Sequence, residues 1–363
     1  MIDRRRFLIA RRQQLSERSS FLIDRPESSV DVLSDVLQAV RLTGAVYFDV
    51  QAGAPWTATT PGSAIICSGV MPEFEHVIAL HIILEGRAWA QLADASQAPV
   101  RLDAGDAVIV AHGDGHSLSS EPGKHVSPNL DLYRRPKNDV LPFVLNEFGG
   151  QGEKTRFGCV FLGCDVRPYN PVLEALPRLL HVRRSSEAGF LTFDLMRIAL
   201  QESRNARAGG ETILSKISEL MFLQAVRQHI DSLPADSTGW LAALRDRHVS
   251  AALKAMHARP AESWTLDALG REVGLSRTVL SERFSAVMGT PPMQYLGNWR
   301  LQLAANMLDK QGLSIAQIAA SVGYDSEAAF NRAFKRQVGV PPGAWRRRTR
   351  PQEATKTIAD HTS

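Results

Sequence analysis

Residues 266–276 read Leu266-Asp267-Ala268-Leu269-Gly270-Arg271-Glu272-Val273-Gly274-Leu275-Ser276, and residues 315–326 read Ile315-Ala316-Gln317-Ile318-Ala319-Ala320-Ser321-Val322-Gly323-Tyr324-Asp325-Ser326. The likeness continues fifty positions apart: Phe284 is matched by Phe334, Gly289 by Gly339, Pro291-Pro292 by Pro341-Pro342 and Tyr295 by Trp345. The first segments are offset by 49 positions, so the second copy has one extra residue in its turn. Self-similarity of this kind indicates one supersecondary unit used twice.

Each copy predicts a helix, a glycine-containing turn and a second helix. Gly274 and Gly323 favour the left-handed backbone that ends a helix, and Ser276 and Ser326 are suited to cap the next one. Leu266, Leu269 and Val273 are expected to face Leu280 and Phe284, which locks the two helices at the steep angle of a helix-turn-helix. The alternative is an all-helical repeat without a binding role.

The charge of the chain is concentrated around this repeat. Residues 250–350 contain 14 Lys and Arg against 7 Asp and Glu, whereas residues 1–249 contain 27 against 29. A basic segment joined to a near-neutral one is typical of a nucleic-acid reader attached to another module. The Arg346-Arg347-Arg348 cluster is expected to add salt-sensitive, non-specific affinity for DNA.

The C-terminal segment, residues 250–348, resembles the DNA-binding domain of the AraC/XylS family of transcription regulators. The resemblance is carried by Ile318-Ala319-Ala320-Ser321-Val322-Gly323-Tyr324-Asp325-Ser326-Glu327-Ala328-Ala329-Phe330-Asn331-Arg332-Ala333-Phe334-Lys335-Arg336, followed by Gly339-Val340-Pro341-Pro342. It implies two helix-turn-helix units, at about 266–286 and 315–337, joined by a linker helix at about Asn298–Asp309. The recognition helices, Ser276–Ala286 and Ser326–Gln337, would enter major grooves about 34 Å apart.

The family pattern also assigns groove-facing positions. The base-reading candidates are Thr278, Ser281, Glu282, Glu327, Ala328, Asn331 and Arg332. Arg332 suits guanine, Asn331 adenine, and Glu282 the amino group of cytosine. The phosphate-contacting candidates are Arg277, Arg283, Lys335 and Arg336. For any one of these side chains the alternative is a solvated charge or an intrahelical ion pair, such as Glu327 with Arg332.

The first half of the chain reads differently. Apolar residues at helical spacing predict a short helix within residues 30–45, and short β-rich runs from about Ala45 to Leu132 predict a small β-barrel or sandwich. Leu141–Gly158 is interpreted as a loop before a last strand at Cys159–Leu162. Two amphipathic helices, Leu191–Glu202 and Thr212–Ile230, follow, and their stripe Leu214, Ile217, Leu220, Met221 suits either a second subunit or the chain's own barrel.

Residues 30–181 resemble the cupin-type sensor domain of one subgroup of AraC-type regulators. The resemblance is carried by His81–Trp89, Leu102–Asp106, His112–His116 and Gly163–Pro171. A metal-binding cupin needs a His-x-His, a Glu and a later His. Here His116 occupies the later position, but the His-x-His is missing and Ala79 stands where Glu is expected. His76, His81, His112 and His125 lie nearby in the sequence and are the candidates for an atypical metal site. We nevertheless expect no metal and no other cofactor, and either a small effector at the mouth of the barrel or a scaffold that only dimerises.

The effector or sensor candidates are His76, His81, His112, His116, Cys159 and Cys164. Two rival functions remain open at this point. Cys159 and Cys164 would form a redox switch if a turn at Gly163 brought them together, although buried, inert cysteines are the alternative. A metal-dependent cupin enzyme with an accessory DNA-binding tail is the second rival.

The sequence thus predicts an α+β multidomain protein, with an N-terminal cupin-like β-barrel followed by an all-α domain with two helix-turn-helix units. The expected organisation is a disordered basic arm (1–29), a sensor and dimerisation domain (30–181), linker helices (182–249), the DNA reader (250–348) and a disordered tail (349–363). The expected function is that of a sequence-specific transcription regulator, an activator rather than an enzyme, controlled by a small effector or stress signal.

The expected partners are promoter DNA, RNA polymerase, a small-molecule effector and a second copy of the chain. No apolar run reaches the ~18 residues of a membrane span. Arg4-Arg5-Arg6-Phe7-Leu8 resembles a twin-arginine export signal, but Arg11-Arg12-Gln13-Gln14 follows where an apolar stretch is required. The protein is therefore expected in the cytoplasm, associated with the nucleoid.

Overall fold

The computed structural model describes residues 30–348, except 41, 70, 73, 134–142, 206 and 310–311. The predictions of a disordered arm at 1–29 and a disordered tail at 349–363 therefore lie outside the described residues. The chain divides into two compact units. One comprises Val36–Val166 with Asn170–Asp246, and the other comprises the described residues of Met1–Asp35, Arg167–Tyr169 and Arg247–Ser363.

The described residues of the first unit form ten strands. They are β1 (Thr43–Gly53), β2 (Thr57–Thr60), β3 (His76–Glu85), β4 (Arg87–Leu92), β5 (Val100–Asp103), β6 (Ala107–Val110), β7 (His116–Ser119), β8 (Phe143–Gly149), β9 (Lys154–Cys164) and β10 (Leu180–Val182). A six-stranded sheet has the order β10-β6-β3-β9-β1-β8, and a four-stranded sheet has the order β2-β7-β4-β5. The short helix α1 (Val32–Ala39) begins in the other unit and ends in this one, and α2 (Ser63–Gly69) and α3 (Pro171–Ala175) belong to this unit.

The main core of this unit combines residues of both sheets. Alternation along β1 sends Phe48 and Val50 into this core, whereas Tyr47 and Asp49 lie on the other face of the strand. Trp56 stacks on Phe157 with 5.2 Å between ring centroids. The cupin-like architecture is confirmed, but the described strands form two separate hydrogen-bonded sheets, and a closed barrel is not shown.

The interpretation of Leu141–Gly158 as a loop was wrong. This stretch contains β8, which pairs parallel with β1, and the first half of β9. Its glycines at 149, 150 and 152 lie at the end of β8 and in the turn that follows, where Gly150 N donates to Gly53 O at 2.6 Å. Two parallel strands are joined by a long crossover connection and not by a tight turn. The glycines around β8 therefore indicated a loop, although the segment pairs with a strand far away in the sequence.

Two long helices, α4 (Glu187–Arg204) and α5 (Gly210–Ser232), pack against each other and against the six-stranded sheet. Tyr47 Oη donates to Leu214 O at 2.9 Å and contacts Ser218 Oγ closely. Leu214, Ile217 and Met221 are buried within this unit, while Leu220 is 37% exposed. Three of the four stripe residues are therefore buried by the chain's own unit, on a helix that packs against α4 and the six-stranded sheet. The short helix α6 (Trp240–Ala243) follows.

The second unit is helical. Its elements are α7 (Arg247–Ala258), α8 (Leu266–Glu272), α9 (Arg277–Met288), α10 (Pro292–Asp309), α11 (Ile315–Ser321), α12 (Glu327–Val338) and α13 (Pro342–Arg348). The repeat appears as the pairs α8–α9 and α11–α12. The helix between them is longer than predicted, because it begins at Pro292, where a proline suits the first turn.

Candidate nucleic-acid interface and sensor cavity

The turns of both helix-turn-helix units have the geometry that their sequence predicts. Gly274 has φ +72° and Gly323 has φ +80°. Ser276 Oγ accepts from Val279 N at 3.3 Å, and Ser326 Oγ accepts from Ala329 N at 3.2 Å. These bonds satisfy backbone groups at the start of α9 and α12, so the first turn of each recognition helix is fixed in place.

Each recognition helix buries one face and exposes the other. Leu280 and Phe284 on α9, and Phe330 and Phe334 on α12, are fully buried. The base-reading candidates Thr278, Glu282, Glu327, Ala328 and Arg332 are exposed, and Ser281 and Asn331 are half-buried. The phosphate-contacting candidates Arg277, Arg283, Lys335 and Arg336 are also exposed. The arrangement leaves a polar, largely cationic helix face available on each unit, with Arg277 Nη1 3.8 Å from Asp267 Oδ2.

Sequence reasoning missed one residue of this unit, Arg300 on α10. Its guanidinium donates to Pro260 O and Glu262 O, both at 2.7 Å, and to Gly323 O at 3.2 Å. Arg300 therefore ties the linker helix to the loop before α8 and to the turn of the second helix-turn-helix. A half-buried arginine that binds three carbonyls is a structural clamp, and its position inside a helix gave no pattern that pointed to it.

The first unit contains a cavity of about 140 Å³ between its sheets. Its walls include Phe48, Val50, Leu118, Phe157 and Phe161, with His81, Cys159, Thr60 and Tyr133 as polar members. Tyr133 Oη donates to Thr59 O at 3.2 Å and to Thr60 Oγ1 at 3.3 Å, both long for a hydroxyl donor. Among the described residues that line this cavity none is Asp, Glu, Lys or Arg, and this part of the wall suits a neutral, mainly apolar molecule.

A chain of hydrogen bonds runs along the cavity wall from Cys159. His81 Nδ1 lies 2.8 Å from Cys159 Sγ, and His81 Nε2 lies 2.6 Å from His116 Nε2. His116 Nδ1 lies 2.9 Å from Asp114 O. Because a carbonyl only accepts, His116 Nδ1 must donate, so the Nε2 of neutral His116 accepts from His81 Nε2. His81 Nδ1 is then left to accept from the Cys159 thiol.

The three side chains of this hydrogen-bond network, Cys159, His81 and His116, are uncharged at neutral pH. Burial lowers the pKa of His81 well below its ordinary range, and the neighbouring His116 lowers it further. Burial also lowers the pKa of His116 to about 4, although the carbonyl and carboxylate of Asp114 act in the opposite direction. Burial raises the pKa of the Cys159 thiol. The tautomers assigned above are therefore those of the resting protein.

The donor set does not fit a metal ion. His81 lies between Cys159 and His116 and directs a different nitrogen at each, so the three side chains do not converge on one point. Within the described parts of the chain there is no group of three or more His, Cys, Asp or Glu side chains that could hold a metal ion. His76 and His112 bind the carbonyls of Ala111 and Leu176 instead, at 2.7 and 2.8 Å.

The geometry also separates the two cysteines of the predicted redox pair. Cys159 and Cys164 lie on one continuous strand, β9. Five residues of extended strand span roughly 16 Å, whereas a disulfide needs its Cα atoms within about 7 Å. Gly163 does not turn the chain back, because it pairs with Val77 within the sheet. The hypothesis of a Cys159–Cys164 switch is therefore not favoured.

Two protein-family models match this chain, in two separate segments. The model of the family described as "Cupin" matches residues 31–231, and the model described as "Helix-turn-helix domain" matches residues 269–348. The RCS-specific HTH-type transcriptional activator RclR of Escherichia coli K12 is 34% identical over 241 residues, 65% of this chain and 84% of that protein.

Two further relatives cover more of the chain. A putative AraC-like transcription regulator of Streptomyces lividans is 28% identical over 319 residues, 88% of this chain and 98% of that protein. The HTH-type transcriptional regulator AlkR of Acinetobacter baylyi is 29% identical over 329 residues, 88% of this chain and all of that protein. The chain therefore belongs to the AraC-type transcription regulators that carry an N-terminal cupin domain. This confirms the resemblance inferred from both halves of the sequence.

Proposed function

We propose that this protein is a transcription activator whose binding to promoter DNA is controlled by a small effector in the cupin cavity. The observation that carries the proposal is the pair of capped recognition helices, each with a buried apolar face and an exposed polar one. The activator role is supported by the relative RclR, which is named as a transcriptional activator. The cavity in the cupin domain supplies a place for the effector.

Base reading is assigned to the residues on the exposed faces of α9 and α12. Arg332 is matched to guanine through two parallel hydrogen bonds, Asn331 to adenine, and Glu282 to the cytosine amino group. Thr278, Ser281, Glu327 and Ala328 complete the base-reading set. Arg277, Arg283, Lys335 and Arg336 bind phosphates, which fixes the register of the protein on the duplex without reading its sequence.

The remaining partners follow from this role. An activator acts on RNA polymerase, and a homodimer places two readers on one promoter. A cytoplasmic location and the absence of catalytic turnover are part of the same proposal. Within the described residues no helix is both long enough and apolar enough to cross a membrane.

The experiment is selection of bound fragments from genomic DNA by the full-length protein, with Arg332→Ala and Lys335→Ala as matched variants of one helix. Discrete sites that span two adjacent major grooves are expected. Arg332→Ala should cost about 1–3 kcal/mol and relax specificity at one base pair. Lys335→Ala should weaken all sites alike and reduce the salt slope by about 0.9.

The opposite result is diffuse, salt-labile binding that neither variant changes. That result would overturn the assignment of the reader. Equal effects of the two substitutions on every sequence would contradict the division into base and phosphate contacts.

A further inference from the structure

At the wall of the cupin cavity a thiol, a base and a residue that orients the base lie in hydrogen-bond contact with one another. Cys159 supplies a sulfur, His81 Nδ1 lies 2.8 Å from it as the base, and His116 holds His81 in place through a 2.6 Å bond. A nucleophile in contact with a base that a third group orients is the arrangement that activates serine and cysteine in covalent catalysis. Nothing in the reading of DNA requires it.

The cavity beside this cysteine selects small neutral molecules. Its 140 Å³ is close to the roughly 150 Å³ cavity that holds benzene in an engineered protein. The wall residues that the structure describes include no charged side chain, so an ionic ligand beside them would lose its hydration without compensation. Val126 lines the cavity and is 49% exposed, which places an opening to solvent on that side.

We propose that Cys159 captures a small α,β-unsaturated carbonyl compound in this cavity by conjugate addition, with His81 and His116 as the proton relay. The inference rests on the proposed function, because it names the chemical class of the effector. One molecule is bound per chain, covalently, so the protein acts as a sensor without turnover.

The step balances without an added reactant. Sγ bonds to the β-carbon, the C=C π bond breaks, and its electrons pass to the carbonyl oxygen as an enolate. Because burial keeps the thiol protonated and both histidines neutral at rest, no free thiolate forms beforehand. As the C–S bond forms, the thiol proton moves to His81 Nδ1 while the Nε2 proton of His81 moves to His116 Nε2. The relay then runs back and delivers a proton to the α-carbon, which restores both tautomers. The sum is addition of S–H across C=C, with no leaving group.

Two further contacts support this route. The positive charge rests on His116 during the step, and His116 donates from Nδ1 to Asp114 O. The Asp114 carboxylate, which is paired with Arg178, also favours the charged form of His116. Tyr133 Oη, which also lines the cavity, makes two long hydrogen bonds to Thr59 and Thr60 in the resting protein. Its hydroxyl can donate to the enolate oxygen instead. Burial keeps the Tyr133 hydroxyl protonated, since its pKa is raised to about 12.

The other two cysteines are matched internal controls. Cys67 and Cys164 are buried like Cys159, but neither lines the cavity. Burial raises the pKa of Cys164 as it does that of Cys159. A reagent that merely finds buried thiols would therefore treat the three alike.

The test uses the full-length protein and 2-cyclohexen-1-one, which has seven heavy atoms and fits the cavity. Intact mass and peptide mapping should show one adduct, on Cys159, formed on the order of 10²-fold faster than on Cys67 or Cys164. The saturated ketone cyclohexanone should slow the reaction by competition. In His116→Gln the adduct should form about 10²-fold more slowly, while competition by cyclohexanone stays unchanged.

Modification of Cys159 no faster than that of Cys67 and Cys164 would overturn the inference, as would full reactivity in folded His116→Gln. Binding to genomic sites is measured in parallel on the same samples. Specific DNA binding without a Cys159 adduct refutes this inference and leaves the proposed regulator intact. A Cys159 adduct on a protein without specific sites supports the thiol chemistry and refutes the regulatory function.

Discussion

At the scale of single residues, the first unit holds a buried carboxylate between two arginines. Asp49 is almost fully buried, and its oxygens accept from Arg156 Nε at 3.0 Å and Arg156 Nη2 at 2.9 Å, with Arg204 in close contact. Burial alone would raise the pKa of Asp49, but the hydrogen bonds from the two arginines more than offset this and hold it below its usual value. The ion pair therefore stabilises the fold where Asp49 is ionised.

Arg156→Met should lower the free energy of unfolding of this unit by about 3–5 kcal/mol at pH 7, because it leaves a buried charge incompletely paired. The control is Arg87→Met, which removes an exposed pair with Glu153 and should cost about 1 kcal/mol or less. Urea unfolding measures both. Since the Asp49 pKa is lowered on folding, its contribution is lost as the pH falls below about 3.9. Equal losses for the two variants at pH 7 would contradict the role of Asp49.

The buried histidines predict a second pH window. In the unfolded chain His116 titrates near 6.5, whereas burial holds its folded pKa at about 4. The unfolded state therefore binds more protons between these values, and stability should fall as the pH drops from about 6.5 to about 4. His116→Gln should flatten the stability curve in that range, as measured by urea unfolding from pH 7 to pH 4. A curve of unchanged slope would show that His116 is not the titrating group.

At the scale of elements, the two helix-turn-helix units are alike in backbone and differ in surroundings. A Cβ added at Gly274 would meet nothing within 4 Å, whereas at Gly323 it would lie 2.6 Å from Ala261 O and 2.9 Å from an Arg300 nitrogen. The second turn is thus packed against its own domain, and the first is open. The sequence repeat hides this difference, because both positions are simply glycine.

Gly274→Ala should cost about 1–2 kcal/mol, the strain of a left-handed non-glycine residue. Gly323→Ala should cost more, because the same strain is joined by a clash with a backbone carbonyl that cannot move aside. Urea unfolding of the helical unit gives both values, and Gly274→Ala serves as the matched control. A loss for Gly323→Ala no larger than that for Gly274→Ala would contradict the close packing of the second turn.

At the scale of the whole molecule, the cavity proposed to bind the effector and the two helix-turn-helix units lie in different compact units. Control of one by the other requires two states that the effector and the DNA stabilise differently. This control can be tested at the cavity, because the cavity is small enough that a few added carbon atoms fill it.

Ala58→Leu, at the cavity wall, should abolish the response to the effector by occupying its space, while DNA affinity without effector changes by less than about twofold. Ala98→Leu, at an exposed position, is the control for the added side chain. Promoter binding measured with and without 2-cyclohexen-1-one checks this. A normal response in Ala58→Leu would place the effector elsewhere, and loss of basal DNA binding would contradict the independence of the reader.

The sequence by itself determined the two helix-turn-helix units, with their glycine turns and serine caps, and the cupin class of the first half. These features depend on short-range backbone chemistry and on patterns that a single stretch contains. The assignment of base-reading residues and the domain boundaries at 181 and 249 stay predictions.

Only the tertiary structure decided which distant side chains meet. It brings His81, His116 and Cys159 together from three strands, and it places Arg300 against the turn of the second helix-turn-helix unit. It also shows that residues 143–149, which were predicted as part of a loop, form a strand parallel to β1. Sequence spacing is silent on such contacts, because strand order and register are set by long-range pairing and by which face of each strand is buried. The same pairing keeps Cys164 away from Cys159, which no count of residues between them could settle.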